Sequence, residues 1–198
     1  MTDGICARLA GWHERYPYPS EPPEMNAAAR RSEDAWLAGF AGLDALDRSQ
    51  ATELVRWKFQ SMPHRRALAM RGISPDRWDT QDGRTGAGDL ISQALASADD
   101  LTALQTMASA KGIYRFGPAM SSVVLAACRP GTFTIADTRA LKTLRALGLL
   151  PDGPEQFRVS DWQSYLSACR HLSSQCGLRL REVDRALWVA ASDPGLQR

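Results

Sequence analysis

Long apolar runs are missing from this chain. No stretch of 18 apolar residues occurs, so no membrane-spanning helix is expected. The first twenty residues hold no basic stretch followed by an apolar one, and no secretory signal is expected from them. Cysteine is sparse. Cys6, Cys128, Cys169 and Cys176 form no CxxC pair and no repeating spacing, which points to free thiols in a cytoplasmic protein. His13 and His171 have no ligand spacing to cysteines or acids, so no metal site is expected. No convincing alternating strand pattern and no repeat of fixed period can be found. The glycine-rich span Asp79 to Gly88 has no Lys-Ser or Lys-Thr after its glycines, which excludes a P-loop.

What remains is helix-forming and long enough to bury a core: 198 residues, 44% hydrophobic. Net charge is only +2, yet most of the 24 basic residues are arginine and sit in clusters, which permits nucleic-acid binding without demanding it. Residues 1–31, with Tyr16-Pro17-Tyr18-Pro19 and Pro22-Pro23, predict an irregular proline-rich arm, and residues 32–198 a helical domain. Ser32 precedes Trp36, Leu37, Phe40 and Leu43 at helical spacing. Asp47 with Gln50 predicts a capping box for a helix that ends before Pro63. Two helices follow at residues 89–97 and 99–110, and Gly112 suits a left-handed helix end. Ser160 with Gln163 predicts another cap, and Gly177 separates the last two helices, 160–191, expected to pack with the N-terminal ones. In the last, Leu180, Val183, Leu187 and Ala191 line one face, with Arg181, Asp184 and Arg185 on the surface. The expectation is an all-α fold of about eight to ten helices.

One stretch, within residues 111–147, organises the rest: KGIYRFGPAMSSVVLAACRPGTFTIADTRALKTL. It predicts a helix end, a tight turn at Gly117, a buried helix, a short extended connector and a second helix opened by Asp137. Pro118 fits the first helical position, which leaves the amides of Ala119, Met120 and Ser121 aimed outward as a site for a phosphate. Glycine-proline corners are common, and an ordinary helix–turn–helix corner with Gly117 as its bend also explains the turn. Asp137 stands where an N-cap stands. A carboxylate there could also stabilise the oxocarbenium-like sugar formed as an N-glycosidic bond breaks, and could position the attacking water.

These residues resemble the helix-hairpin-helix DNA glycosylase superfamily, which contains endonuclease III, the adenine glycosylase and the 8-oxoguanine glycosylases. Gly117 matches the second hairpin glycine, Val123-Val124-Leu125 the helix core, and Thr134-Ile135-Ala136-Asp137-Thr138 the connector and catalytic aspartate. Arg115 stands at the first hairpin glycine, so the turn must be made differently. Ala119 stands where bifunctional members carry the Schiff-base lysine, so hydrolysis by activated water is what remains. Only Cys169 and Cys176 lie near the C-terminus, so no iron–sulfur cluster is expected.

The resemblance implies a two-lobed fold with an interlobe cleft, Asp137 at its rim, and no cofactor. It implies a cytoplasmic, nucleoid-associated monomer that extrudes a damaged or modified base from duplex DNA. Base-pocket candidates are Trp57, Lys58 and Gln60, with Gln60 near a position that fills the gap left by the flipped base. Lys58 could act as a pocket group or a substitute amine. Core packing also accounts for Trp57 and Phe59, and a solvated face for Lys58. Arg139, Lys142 and Arg145 recur along one flank beside the hairpin and could follow the DNA backbone. A non-catalytic DNA-binding protein and a helical adaptor, using the proline-rich arm, are the alternatives.

Overall fold

The computed structural model describes residues 2–81 and 83–196, and among them eleven α-helices carry the fold. In chain order they are α1 (Thr2–Glu14), α2 (Pro23–Ala38), α3 (Arg48–Lys58), α4 (Pro63–Gly72), α5 (Pro75–Trp78) and α6 (Ala87–Ala96). They continue with α7 (Asp100–Ala108), α8 (Pro118–Cys128), α9 (Thr138–Ala146), α10 (Trp162–Cys176) and α11 (Leu180–Ala190). The described residues contain one isolated bridge, between Gln81 and Arg84, and no strand. No helix is long and apolar enough to cross a membrane among them.

Local chemistry sets several boundaries. Asp47 and Gln50 exchange hydrogen bonds in the expected capping box that opens α3. Gly177 closes α10 at φ +65°, a left-handed position where glycine carries no Cβ penalty. α8 is apolar nearly all round, with Met120 to Leu125 buried, so it runs through the interior as a core helix must. α3 and α6–α8 pack on one another. α1, α9 and α10 gather on α11, with α2 against α1.

Four expectations fail for one reason. The arm over residues 1–31 is confined to 15–22, because Thr2–Glu14 is helical and α2 begins at Pro23 rather than after Ser32. Leu9 and Trp12 of α1 are core residues packed toward α11. Arg181, Asp184 and Arg185 are therefore not surface groups. α1, α2 and the 15–22 segment cover that side of α11, leaving Asp184 at 3% and Arg185 at 1% exposure. Charge burial on this scale requires partners. Glu33 accepts from Arg181 at 2.5 Å and from Arg185 at 2.6 Å, Asp34 accepts from Arg185 at 2.6 Å, and Asp184 pairs with Arg181. Nor are all four cysteines free. A disulfide joins Cys6 of α1 to Cys176 of α10, while Cys128 and Cys169 are free and buried. With α1 hidden from the sequence reading, neither the covered face nor a pairing across 170 residues could be foreseen.

Smaller corrections concern turns. The Ser160–Gln163 cap is not made. A 3-10 turn at Val159–Asp161 leads into α10, with the Asp161 carboxylate accepting from the Arg158 amide at 2.8 Å. Gly112 is needed for close approach rather than for a left-handed φ, since a Cβ there would lie 2.4 Å from the Met107 carbonyl oxygen.

Candidate active site

The hairpin runs from the end of α7 to the start of α8. Arg115 occupies the first hairpin position at φ +62°, the left-handed conformation that glycine adopts freely. The turn expected to be made differently is thus made with left-handed backbone at arginine. Gly72, at the end of α4, sits so close beneath it that a Cβ would fall 2.1 Å from the Tyr114 carbonyl oxygen. Gly117 is extended and caps α8, with Pro118 first in the helix. The Met120 and Ser121 amides both donate to the Gly117 carbonyl at 3.1 Å and are buried, so they are not outward-facing donors. Of the three amides expected to point outward, Ala119 alone has no acceptor among the described residues. The exposed surface of the turn is basic. The guanidinium of Arg77 lies 4.6 Å and that of Arg115 5.1 Å from the Tyr114 ring centre, and Tyr114 itself is exposed.

Beyond α8, residues Phe133 to Ala136 form a buried extended connector. Two side chains fix its register. The Tyr165 hydroxyl donates to the Ile135 carbonyl at 2.9 Å, and the Ala136 amide donates to the Ser122 hydroxyl at 2.8 Å. Ser122 in turn donates to the Ala119 carbonyl at 3.1 Å, so the hairpin helix holds the residue before Asp137.

Asp137 is the N-cap of α9. Its Oδ1 accepts from the Arg139 amide at 2.9 Å, as a capping aspartate should. Its Oδ2 accepts from Lys58 Nζ at 3.2 Å. Lys58 is the last residue of α3, so the cation meets the negative end of one helix dipole and the carboxylate the positive end of another. Both side chains are mostly covered, at 12% and 23% exposure, which strengthens their attraction over that of a surface pair.

A cleft of about 160 Å³ opens on this pair, walled by Tyr16, Trp57, Gln60, Met62, Asp184 and Trp188 among others. Trp57, Lys58, Gln60 and Asp137 are the site residues that the resemblance implies. Trp57 packs on Trp36 at 5.7 Å, as the core reading expects, and also lines the cleft. Phe59 is core. Gln60 is exposed at the turn after α3. Tyr16, expected in an irregular arm, and Arg181 and Asp184, expected on the surface, line the cleft instead, and so does Trp188, for which the sequence carries no local signal. Tyr16 meets Trp188 edge-on at 5.7 Å, and its hydroxyl donates to Glu33 at 3.0 Å. Burial, assisted by Glu33, lifts the Tyr16 pKa to about 12, although Arg181 opposes it. Burial also lifts Asp184 to about 6, against the pull of Arg181 and Lys58, with Asp137 adding to the rise.

The expected basic flank of α9 dissolves into separate tasks. Arg139 lies 4.3 Å over the Trp188 ring and donates to Ser192, at the rim of the cleft. Lys142 is exposed and paired with Glu155 at 3.0 Å. Arg145 is mostly buried, donating to the Pro154 carbonyl at 2.5 Å with Asp161 at 3.8 Å, so it straps the 151–161 loop onto α9. Among the described residues no three His, Cys, Asp or Glu side chains gather to hold a metal ion. Searched against known proteins, the chain matches no family model, no curated protein and no solved structure.

Proposed function

We propose that the chain is a monofunctional DNA N-glycosylase that hydrolyses the bond between a damaged or modified base and its sugar. The observation that carries this reading is the covered Lys58–Asp137 pair, 3.2 Å apart, at an aromatic-walled cleft on the end of the connector from the hairpin helix. Water adds to the sugar carbon, the carbon–nitrogen bond breaks, and the base leaves with its electron pair and takes up a proton. Asp137 stabilises the positive charge on the sugar and receives the proton of the water. Lys58 holds Oδ2 so that the carboxylate keeps one orientation, while the Arg139 amide holds Oδ1. Ala119 leaves the family lysine position without an amine.

The fold of the resembled family is two-lobed, and the packing of α3 with α6–α8 and of α1, α9 and α10 on α11 supports it, with α7 and α10 joining the two groups. The cleft residues come from both groups. The exposed turn at Tyr114, Arg115 and Gly117 then grips the backbone of duplex DNA, Arg139 at the cleft rim extends that contact, and Gln60 enters the gap left by the extruded base. Such a monomer would work at the nucleoid.

One observation favours a second reading. Both Asp137 oxygens already have partners within the protein, so a DNA-binding protein without catalysis could keep the aspartate as a cap alone. Mass-spectrometric screening for free bases, released from duplexes carrying many lesions and natural modifications, separates the two. Release of one base with an intact abasic strand is the expected result. Tight duplex binding with no base released across the panel would leave only the second reading.

A further inference from the structure

One helix, α4, touches both the cleft and the hairpin turn. Gln60, Ser61 and Met62, the turn that leads into it, line the cleft. At its other end Gly72 lies beneath the hairpin, where a Cβ would fall 2.1 Å from the Tyr114 carbonyl oxygen. Its ten residues span about 15 Å, the rise of roughly four base pairs along a duplex. α4 adds little to the core, since only Ala69 and Gly72 of PHRRALAMRG are buried. It carries Arg65, Arg66 and Arg71 and no acid. Arg56 of α3 brings a fourth guanidinium, lining a groove with Pro63, Arg66, Ala67 and Met70. None of these four arginines has a carboxylate within 4.0 Å among the described residues. The exposed Arg179, by contrast, pairs with Glu182 three residues on, at 2.9 Å. The exposed large hydrophobic residues, Tyr18, Met25, Tyr114 and Leu149, all lie outside α4. The helix therefore has no bulky anchor for a membrane or for a protein groove. What it presents is unopposed positive charge between cleft and hairpin.

We propose that α4, with Arg56, is a second backbone-gripping face, which holds the phosphates of duplex DNA between the extruded nucleotide and the hairpin turn. This role rests on the DNA reading above but not on catalysis. Guanidinium forks suit phosphate oxygens, and each such contact releases condensed counterions. Contacts to the backbone fix register without reading sequence. Gripped along α4, the strand is held with Gln60 at the extruded nucleotide.

Undamaged duplex DNA serves as the probe, titrated into the full chain over a series of salt concentrations. Replacing Arg65, Arg66 and Arg71 together by Gln should lower the slope of log K against log salt by about 2–3 and weaken binding at least tenfold. If that variant fails to fold, Arg65→Gln with Arg71→Gln, both exposed, should lower the slope by about 1–2. Removing three charges elsewhere, at Arg8 of α1, Arg31 of α2 and Arg158 before α10, should change the slope by less than about 1. Equal losses in the two triple variants would reduce the effect to net charge and overturn the assignment. So would competition by polyglutamate as strong as that by duplex at equal charge, which would make the face one for an acidic protein. Duplex binding by the wild type that the α4 variant retains unchanged would remove this face alone. No duplex binding by the wild type would remove the proposed function with it.

Discussion

The hairpin turn and the Asp137 cleft are tied together through Ser122, yet they treat charge in opposite ways. On the turn, Arg77, Lys111 and Arg115 have no carboxylate within 4.0 Å among the described residues. Two of the three guanidinium and ammonium groups stack on an exposed tyrosine instead. In and behind the cleft, Lys58, Arg181 and Arg185 each have a carboxylate partner, and Arg185 is fully covered. Unpaired exposed cations can release counterions to a polyanion. Paired buried ones hold a fixed geometry and resist salt. On the proposed function, the contrast would give grip to the turn and orientation to the cleft.

The largest effect should come from breaking the buried side. Arg185→Met strands Glu33 and Asp34 without one of their cations, and a buried pair broken in this way costs about 3–5 kcal/mol. The unfolding temperature should drop by roughly 10 °C. A drop of only a degree or two would mean that the network is not structural. Next comes Lys58→Met, expected to slow base release about 10–100-fold through a less ordered Asp137, with little change in duplex affinity. Borohydride should trap no protein–DNA adduct with the wild type. An adduct lost in Lys58→Met would make that amine a nucleophile and overturn the monofunctional assignment.

How much of this contrast could be read beforehand depended on whether the information was local. Asp47–Gln50, Gly177 and the Asp137 cap lie within a few residues of what they stabilise, and each is found where spacing placed it. The buried α8 follows from its continuous apolar run. Tyr16 reaches the cleft because the segment after α1 folds against α11, where Asp184 and Trp188 face α3 and Asp137. That packing joins segments more than a hundred residues apart, and proline-rich flanks concealed it. Arg115 shows a subtler gap. Its type argued against a glycine-like turn, but the packing of Gly72 against Tyr114 holds the backbone left-handed regardless.

Two smaller changes sharpen the exposed side. Replacing Lys111 and Arg115 together by Gln should weaken duplex binding across all sequences and lower the slope of log K against log salt by about 1–2. The rate at saturating DNA should not change. Salt dependence unchanged in that variant would move the grip elsewhere. Arg115→Gly alone should raise stability by about 1 kcal/mol in denaturant unfolding, by removing the left-handed strain, while still weakening DNA binding. A loss of stability would show that the Arg115 stack on Tyr114 outweighs its backbone cost.

Single-turnover base release by Asp137→Asn bears most directly on the central claim, measured on the best substrate beside duplex affinity for the same DNA. Asparagine keeps a side-chain oxygen for the Arg139 amide and removes the charge. Release is expected to fall at least about 100-fold with affinity within a few-fold of wild type. Equal rates for wild type and Asp137→Asn would contradict the account and leave Asp137 as a helix cap alone.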